Sequence, residues 1–317
     1  MTSALHYCET VAAPATRETV AAWRTEHREM GLLALVAEAD RALEVPALQE
    51  LCHDLQVPLV GAVFPAVLFQ SRFRTRGSVL VRLDRMPFAA LYHPLNAADP
   101  ASHEVRARMI ADLAGRLGRT RGSALFLVVD QMVANVATLL DDLYLTLADR
   151  VRYLGANAGS ETFQPMPCLF DGAQVAQDGA IAMLLEAHPG AAVEHCYRVP
   201  ERLVSATSTE GNRIIAIDWR PAFEAYQQAV QAEYGVAINR ENFYAYAVHF
   251  PFGIVRAGAE VVVRIPVSLQ PDGSLFCVGE VPPNAVLALL HAPAVDSVRT
   301  VNTLVATLRS LSGDLAG

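Results

Sequence analysis

The order of hydrophobic and polar positions changes character about half-way along the chain. In the first half, short apolar runs at residues 32–37, 57–69 and 124–129 alternate with amphipathic stretches. The apolar runs predict buried strands, and the amphipathic stretches predict helices over residues 46–55 and 136–153. Because strands and helices alternate, this half is expected to form a layered α/β domain.

After Gly155 the residue pattern predicts short strands separated by turns. The pairs Asp171-Gly172 and Asp178-Gly179 favour tight reversals between antiparallel strands. Further along, the pattern predicts a helix over residues 218–235, strands over 243–249, 261–267 and 275–278, and a last helix from Asp296. The apolar stripe of that last helix consists of Val298, Val301, Leu304, Val305, Leu308 and Leu311.

Taken together, the pattern predicts an α/β (α+β) fold with layered mixed or antiparallel sheets flanked by helices. Two sub-domains are expected, at residues 1–195 and 196–317, with a soft boundary near residues 190–200. A chain of 317 residues with 52% apolar residues is long enough for both cores.

Mean hydropathy is positive, at +0.25, which raises the question of a membrane span. The longest apolar run, residues 57–69, is too short to cross a bilayer and contains Pro58 and Pro65. No basic segment followed by an apolar one opens the chain. We therefore expect a soluble, cytoplasmic protein without a membrane partner.

Charge and residue usage exclude several kinds of chemistry. The formal net charge of −8 disfavours nucleic-acid binding, since phosphates attract a basic surface. All 25 basic residues are Arg, so Schiff-base chemistry and a phosphate-loop lysine are excluded. GxSxG, HExxH, GxGxxG and phosphate-loop motifs do not occur.

Five cysteines are scattered singly, which is typical of reduced thiols and not of a disulfide framework. They are Cys8, Cys52, Cys168, Cys196 and Cys277. The neighbours Cys52 and His53 fall in a predicted helix, where adjacent side chains do not face one another. A buried thiol beside a surface histidine is therefore favoured over a catalytic pair.

Two polar clusters could bind ions but have simpler explanations. A zinc site is one interpretation of the first cluster, but the spacing matches no common ligand pattern, so a polar loop is favoured. That cluster consists of Glu186, His188, Glu194, His195 and Cys196. The second is the arginine run Arg72, Arg74, Arg76, Arg82 and Arg85. Its first three members would share a strand face able to hold a carboxylate or phosphate, although a solvated edge strand is favoured.

Two segments carry the candidate ligand-binding residues. The small-residue run 155–160, with Gly155 and Asn157, fits a phosphate-binding nest or, as the simpler reading, a tight helix-to-strand turn. In the aromatic segment 243–253, His249 falls on a predicted strand among apolar residues. It is either a satisfied core residue or an axial haem ligand and ligand contact.

The order of several short motifs resembles the FIST family of sensory domains, in its N-terminal and C-terminal parts. The similar segments are residues 57–62 (VPLVGA), 153–160 (YLGANAGS), 170–172 and 178–180 (the DG turns), 249–255 (HFPFGIV), 263–264, 271–275 (PDGSL) and 279–282 (GEVP). The resemblance covers about residues 30–295. Each motif alone is weak, and it is their order that is characteristic.

The resemblance implies a bacterial, non-catalytic sensory module that binds a small ligand and reports to a signalling partner. Amino-acid-like ligands are implied, and a haem-binding subset implies nitric oxide sensing with a histidine kinase or a cyclic-di-GMP enzyme as partner. From these two segments and the similar motifs together, the candidate ligand-binding residues are His249, Pro251, Arg264, Tyr246, Gly155 and Asn157; His249 is the candidate haem-iron ligand because of its aromatic surroundings in the sequence.

Because the chain ends before the family's final strand and closing Gly-Glu motif, we expect the second domain to lack that strand, and an exposed edge could favour a homodimer. The ligand is expected in a mostly apolar cavity near the junction of the two parts. Two other interpretations stay open: a hydrolase on the same scaffold, which needs a buried His–Asp pair, and an interaction protein, which needs a large apolar patch.

Overall fold

A computed structural model describes residues 4–96, 99–117, 123–134, 136–185, 192–256, 261–292 and 295–312. The chain divides into two compact units. The first unit comprises residues 1–133 and 139–190, and the second comprises residues 134–138 and 191–317.

In the described residues, the first unit contains two mixed sheets, a two-stranded hairpin and four α-helices, of which the last begins with three residues assigned to the second unit. Its helices are α1 (Pro14–Glu26), α2 (Arg41–Asp54), α3 (Ser102–Arg116) and α4 (Val136–Leu147). Its strands are β1 (Leu5–Cys8), β2 (Gly31–Ala37), β3 (Leu59–Phe64), β4 (Val67–Phe69), β5 (Arg72–Arg74), β6 (Ser78–Leu83), β7 (Phe88–Tyr92), β8 (Ser123–Asp130), β9 (Val151–Ala158), β10 (Leu169–Asp171), β11 (Val175–Ala176) and β12 (Ala180–Leu185).

One sheet has the order β1-β6-β2-β3-β10-β11 and the other has the order β7-β12-β8-β9. Within them β2–β3 and β8–β9 are parallel, and the other pairs are antiparallel. Ile181 and Met183 of β12 join the core that also contains β2, β3 and helices α1 and α2. On the opposite face of the second sheet, Tyr92 donates a hydrogen bond to Asp112 of α3 (2.9 Å). The layered arrangement of sheets and helices predicted from the sequence is therefore confirmed.

The pairing of β3 with β10 depends on a glycine. Phe170 of β10 lies directly opposite Gly61 of β3 and is fully buried. A Cβ atom on Gly61 would overlap the Phe170 ring and would lie 2.6 Å from the carbonyl oxygen of Ala34 on β2. The absent side chain at Gly61 therefore leaves the space that the Phe170 ring occupies.

Helix α2 begins earlier than the sequence predicts. Pro46 was expected in the first turn, but the helix starts at Arg41 and holds Pro46 inside it. The buried carboxylate of Glu44 accepts hydrogen bonds from the Val11 amide (2.7 Å) and the Thr10 hydroxyl (2.9 Å). These tertiary contacts fix the turn before the proline. Pro46 is the sixth residue of the helix, so it removes one intrahelical hydrogen bond that the contacts of Glu44 help to offset.

Two other predictions for the first unit were wrong in their extent. The run 57–69 is two strands, β3 and β4, interrupted at Pro65, because proline cannot continue sheet pairing. The predicted helix 136–153 ends at Leu147, and β9 begins at Val151. Ala148 takes a positive φ of 48°, which breaks the helix and turns the chain into the sheet.

The described residues of the second unit also form two sheets. Its helices are α5 (Ala222–Tyr234), α6 (Phe243–Ala247) and α7 (Ser297–Ser312). Its strands are β13 (Leu203–Ser205), β14 (Ser208–Glu210), β15 (Arg213–Ile217), β16 (Arg220–Pro221), β17 (Phe252–Val255), β18 (Val261–Arg264), β19 (Pro266–Leu269), β20 (Leu275–Cys277) and β21 (Val286–Leu289). One sheet has the order β13-β21-β17-β18, and the other has the order β14-β15-β20-β19 with β16 beside β15.

The sequence misassigned several elements of the second unit. Residues 243–249 are not a strand, because Phe243 and Ala247, four positions apart, are both buried as the inner face of the short helix α6. The predicted strand 261–267 is divided between β18 and β19, which lie in different sheets. Helix α5 starts at Ala222 instead of Asp218, although Gly235 ends it in the left-handed region as predicted (φ 68°).

No helix in the described part of the chain has both the length and the apolar character that crossing a membrane requires.

Replacing Gly61 by Ala is expected to destabilise the first unit. The new methyl group would overlap the Phe170 ring and approach the Ala34 carbonyl, so the free energy of unfolding should fall by about 1–3 kcal/mol. Chemical denaturation followed by tryptophan fluorescence measures the change.

The matched control is Gly115→Ala on helix α3, where a Cβ atom meets no other atom within 4 Å. That variant should be stabilised by about 0.5–1 kcal/mol, because glycine is unfavourable inside a helix. Equal effects of the two substitutions would contradict the packing argument.

Candidate functional site

The first unit contains an open groove of about 810 Å³ between its two sheets, here called the first-unit groove. It is bounded by the end of α2, the start of β3, strand β7 and the turn after β10. The lining residues are Cys52, His53, Asp54, Gln56, Val57, Pro58, Leu59, Val60, Met86, Pro87, Ala89, Ala90, Leu91, Asp171, Gly172 and Ala173. A volume of this size is typical of small-molecule sites.

The wall from α2 to β3 is formed by a tight helix ending. Gln56 follows the helix in the left-handed region (φ 53°), and the Val57 amide donates back to the Cys52 carbonyl (2.9 Å). This reversal turns the chain into Pro58 and β3. It leaves His53 and Gln56 exposed at the edge of the groove.

The opposite edge is the turn that begins at Asp171. The Asp171 carboxylate accepts the amides of Ala173 (2.8 Å) and Gln174 (2.9 Å), as aspartate commonly does in turns. Gln49 of α2 donates its side-chain amide to the Asp171 carbonyl (2.9 Å). The turn is thereby held against the helix.

The chemistry of the groove favours non-covalent binding. Its floor is apolar, and its rim carries carboxylates at Asp54 and Asp171 with hydrogen-bonding side chains at His53 and Gln56. Burial raises the pKa of the Cys52 thiol to about 12, so that this thiol stays protonated and is not a nucleophile. The expectation of a buried thiol beside an exposed histidine is confirmed at Cys52 and His53.

Four of the sequence-predicted site residues lie near one another in the second unit, around the start of β17. His249 follows α6, and its amide donates to the Tyr246 carbonyl (2.9 Å). Pro251 is buried just before β17, and Arg264 of β18 stands opposite Phe252.

The environment of His249 is not the apolar strand that the sequence predicted. Its side chain is exposed on a turn, and Tyr246 is 40% exposed. The His249 carbonyl accepts the amide of Ala292 (2.9 Å), which ties the turn to the chain after β21. His249 lines neither the first-unit groove nor the narrow cleft beside α5 in the second unit.

Arg264 is largely engaged in holding backbone. Its guanidinium donates to the carbonyls of Glu280 (2.7 Å) and Val263 (3.0 Å). Burial lowers the pKa of Arg264. These bonds brace the turn at Gly279, which takes a positive φ of 85°.

Gly155 and Asn157 lie in the first unit, on strand β9. The expected turn or nest over this run is wrong, because residues 155–158 belong to a strand paired in parallel with β8. A Cβ atom on Gly155 would overlap the backbone of Leu127, so glycine is needed there for close strand pairing. The turn follows only at Gly159.

In the cluster considered as a zinc site, the side chains of Glu194 and His195 are engaged in local hydrogen bonds. Both ring nitrogens of His195 are engaged, Nδ1 with the Tyr197 amide (3.0 Å) and Nε2 with the Val261 carbonyl (3.2 Å). The Glu194 carboxylate accepts the amides of Cys196 and His195, and the Cys196 bond is the main cause that lowers the pKa of Glu194. Glu186 and His188 lie outside the described residues.

Most of the arginine run has structural contacts. Arg74 stacks over Tyr7, Arg76 pairs with the buried carboxylate of Asp40 (2.6 Å), and Arg82 pairs with Asp84 (2.7 Å). These contacts engage three of the guanidinium groups within the fold. Arg76 lies after β5 and Arg82 on the inner strand β6, so the run does not form a single strand face that could hold a phosphate.

A buried acid that the sequence did not single out lies at the end of β8. The Asp130 carboxylate accepts the amides of Asp178 (2.7 Å) and Met132 (2.9 Å). Burial raises the pKa of Asp130, and burial together with the Asp130 charge raises the pKa of the neighbouring Cys168 thiol. Asp130 therefore fixes the backbone at Met132 and at Asp178. The Cys168 thiol stays protonated and is not a reactive thiolate.

The groove residues themselves were missed as a site, although a signal for them was present. Residues 57–62 and 170–172, which carry part of the family resemblance, are hydrogen-bonded neighbours in β3 and β10 and supply part of the groove lining. Their convergence depends on strand pairing between distant segments, which the order of motifs along the chain does not reveal.

Comparison with protein families matches two consecutive models. The FIST N domain matches residues 31–220 and the FIST C domain matches residues 222–315. The chain belongs to the FIST family. FIST domains are sensory domains of signal transduction, so this protein has a sensory role, and the groove lies in the part matched by the FIST N domain. A search of curated proteins finds no match.

The five thiols are expected to differ sharply in reactivity. Cys196 is half-buried, whereas Cys8, Cys52, Cys168 and Cys277 are buried. For these four, burial raises the pKa well above the usual thiol value. A colorimetric thiol titration of the native protein should therefore detect one fast thiol, and the unfolded protein should show all five.

The control for this titration is Cys196→Ser, which should abolish the fast phase while leaving the four slow thiols unchanged. Rapid labelling of Cys52 in the native protein would contradict the conclusion that the groove holds no nucleophile.

Proposed function

We propose that this FIST protein is a cytoplasmic sensory domain that binds a small, amino-acid-like molecule in the first-unit groove and signals to a partner protein. The observation that carries the proposal is the groove itself, about 810 Å³ with an apolar floor and a polar rim. Sites of this shape and composition commonly bind small organic molecules.

The rim has the two kinds of group that a zwitterion needs. The carboxylates of Asp54 and Asp171 can accept hydrogen bonds from an ammonium group. His53 and Gln56 can donate to a carboxylate, while the apolar floor takes the side chain. Asp54 also pairs with Arg17 at 3.0 Å, so its charge is partly offset at the groove edge. This supports a neutral zwitterion over a polyanion.

The alternative of a hydrolase gains no support from the described residues. Every histidine among them is exposed or half-buried, whereas that alternative needs a buried His–Asp pair opening into a pocket. The buried acid Asp130 has Cys168 and backbone amides as neighbours.

The proposal is tested by closing the groove. Gly172 lines it, and a Cβ atom there would meet no other atom within 4 Å, so Gly172→Trp adds a large side chain at the opening without strain at its base. A panel of the standard amino acids, screened by thermal shift and titration calorimetry, should give at least one binder to the wild type. Gly172→Trp should weaken that binding by at least about 10-fold.

Gly115→Trp is the matched control, since Gly115 is also open to added atoms and does not line the groove. It should bind like the wild type. A binder that Gly172→Trp leaves unaffected would move the ligand elsewhere, and no binder in the panel, together with no small molecule in native mass spectra of the purified protein, would contradict the proposal.

Haem binding with nitric oxide sensing is the second candidate, and it derives from the family resemblance. His249 would be the axial ligand, and its accessible side chain leaves it open to iron. Its surroundings fit a haem poorly, because an axial histidine normally lines an apolar pocket and His249 lies on an exposed turn beside the exposed Tyr246. The first-unit groove is therefore the better supported site.

Reconstitution with haem separates the two candidates. The groove proposal predicts that the protein gains no Soret band that depends on His249. A band present in the wild type and lost in His249→Ala, with His291→Ala as the control, would instead establish the haem function.

For the output, we propose a histidine kinase or a cyclic-di-GMP enzyme as partner, as the resemblance implies. A ligand can change the activity of such a partner only if the sensor has two conformational states that bind the ligand with different affinities.

A further inference from the structure

The first-unit groove follows the edge of strand β7. Its lining includes residues 89–91 of β7 in succession. Successive side chains of a strand point to opposite faces of the sheet, so a groove that touches all three runs along the strand's edge and not over one face. The opposite wall includes residues 57–60 in succession, at the start of β3.

This edge of β7 is unpaired. β7 is the first strand of its sheet, and among the described residues it pairs with β12 alone. Its five residues span about 17 Å at about 3.4 Å for each residue. The whole edge lies within the first unit, as does every residue that lines the groove.

The pairing of β12 with β8 shows which backbone groups of β12 reach β7. The Asp130 amide of β8 donates to the carbonyl of Gly179, the residue before β12 (3.0 Å). In an antiparallel sheet, the backbone groups of successive residues point alternately to the two neighbouring strands. Because the register of β12 is continuous, residues 180, 182 and 184 point their backbone groups to β7.

The same alternation identifies the backbone groups of β7 that face away from β12. The partners on β7 are residues 92, 90 and 88, so the N–H and C=O groups of Ala89 and Leu91 point to the open edge. Within the described part of the chain, no hydrogen bond from another segment reaches these four groups. Leu91 is a buried residue, and buried backbone groups are nearly always paired.

The groove is also larger than a free amino acid requires. Its volume of about 810 Å³ corresponds to about 27 water molecules at about 30 Å³ each. This is more than the number of non-hydrogen atoms in any of the standard amino acids. A longer molecule is therefore needed to fill the groove.

Building on the groove function proposed above, we propose that the ligand is a short peptide of about three to five residues that adds a strand to the edge of β7. Its main chain would bond to Ala89 and Leu91, whose spacing matches every second residue of an extended peptide. Its side chains would contact the apolar floor. The carboxylates of Asp54 and Asp171 at the rim favour a free amino terminus, which a segment inside a partner protein lacks.

Titration calorimetry with tetrapeptides of alanine, valine and leucine tests the proposal. At least one should bind at least about 10-fold more tightly than each of its free amino acids. Acetylation of its amino terminus should weaken binding by about 10-fold. Methylation of its amides one at a time should weaken binding at alternate positions only, because only those amides donate to β7.

Ala89→Pro tests the edge on the protein side. Proline removes the outward N–H of residue 89 and leaves the bonds of β7 to β12 in place, as edge strands allow. Tetrapeptide binding should fall by about 10-fold. Ala89→Gly is the matched control, since it changes the side chain and keeps the amide, and it should bind like the wild type.

Hydrogen exchange resolved by NMR locates the contact in the wild type. On tetrapeptide binding, the amides of Ala89 and Leu91 should exchange more slowly. The amide of Ala90 should change little, because it already donates to β12.

Three results would each overturn the peptide proposal: tetrapeptides that bind no more tightly than free amino acids, equal binding by the two Ala89 variants, or unchanged exchange at Ala89 and Leu91. If Gly172→Trp still weakens the binding of a free amino acid in those cases, the groove function stands without the peptide. Absence of binding by both peptides and amino acids would overturn both proposals.

Discussion

The contact between the Phe170 ring and the bare backbone of Gly61 is the constraint on which the first unit depends. It allows β10 to pair with β3, and this pairing joins a late segment of the unit to the middle of the six-stranded sheet. The same pairing carries the Asp171 turn to the end of α2, where Gln49 holds it. The groove exists because these two chain segments end side by side.

Burial then determines what the groove can do. Removing the Cys52 thiol, which lines the groove, from water raises its pKa to about 12. A site whose thiol is protonated and whose rim combines carboxylates with neutral donors is suited to reversible recognition. Such recognition is consistent with the sensory role of FIST domains.

The second unit contrasts a packed core with an exposed helix. Helices α5 and α6 bury aromatic residues such as Tyr226 and Phe243 against the sheets, whereas α7 leaves an apolar stripe in contact with water. Because hydrophobic burial is the main stabilising contribution to folding, the core of this unit is stabilised mainly by α5, α6 and the sheets.

The sequence by itself determined the layered α/β class, the β2 and β8 strands, the stop of α5 at Gly235 and the family, because periodicity, turn residues and motif order are local properties. It misassigned residues 243–249 and 155–158, where tertiary packing selects a helix and a strand from short ambiguous runs. The groove was decided only by the tertiary structure, since strand pairing between residues far apart in sequence forms it.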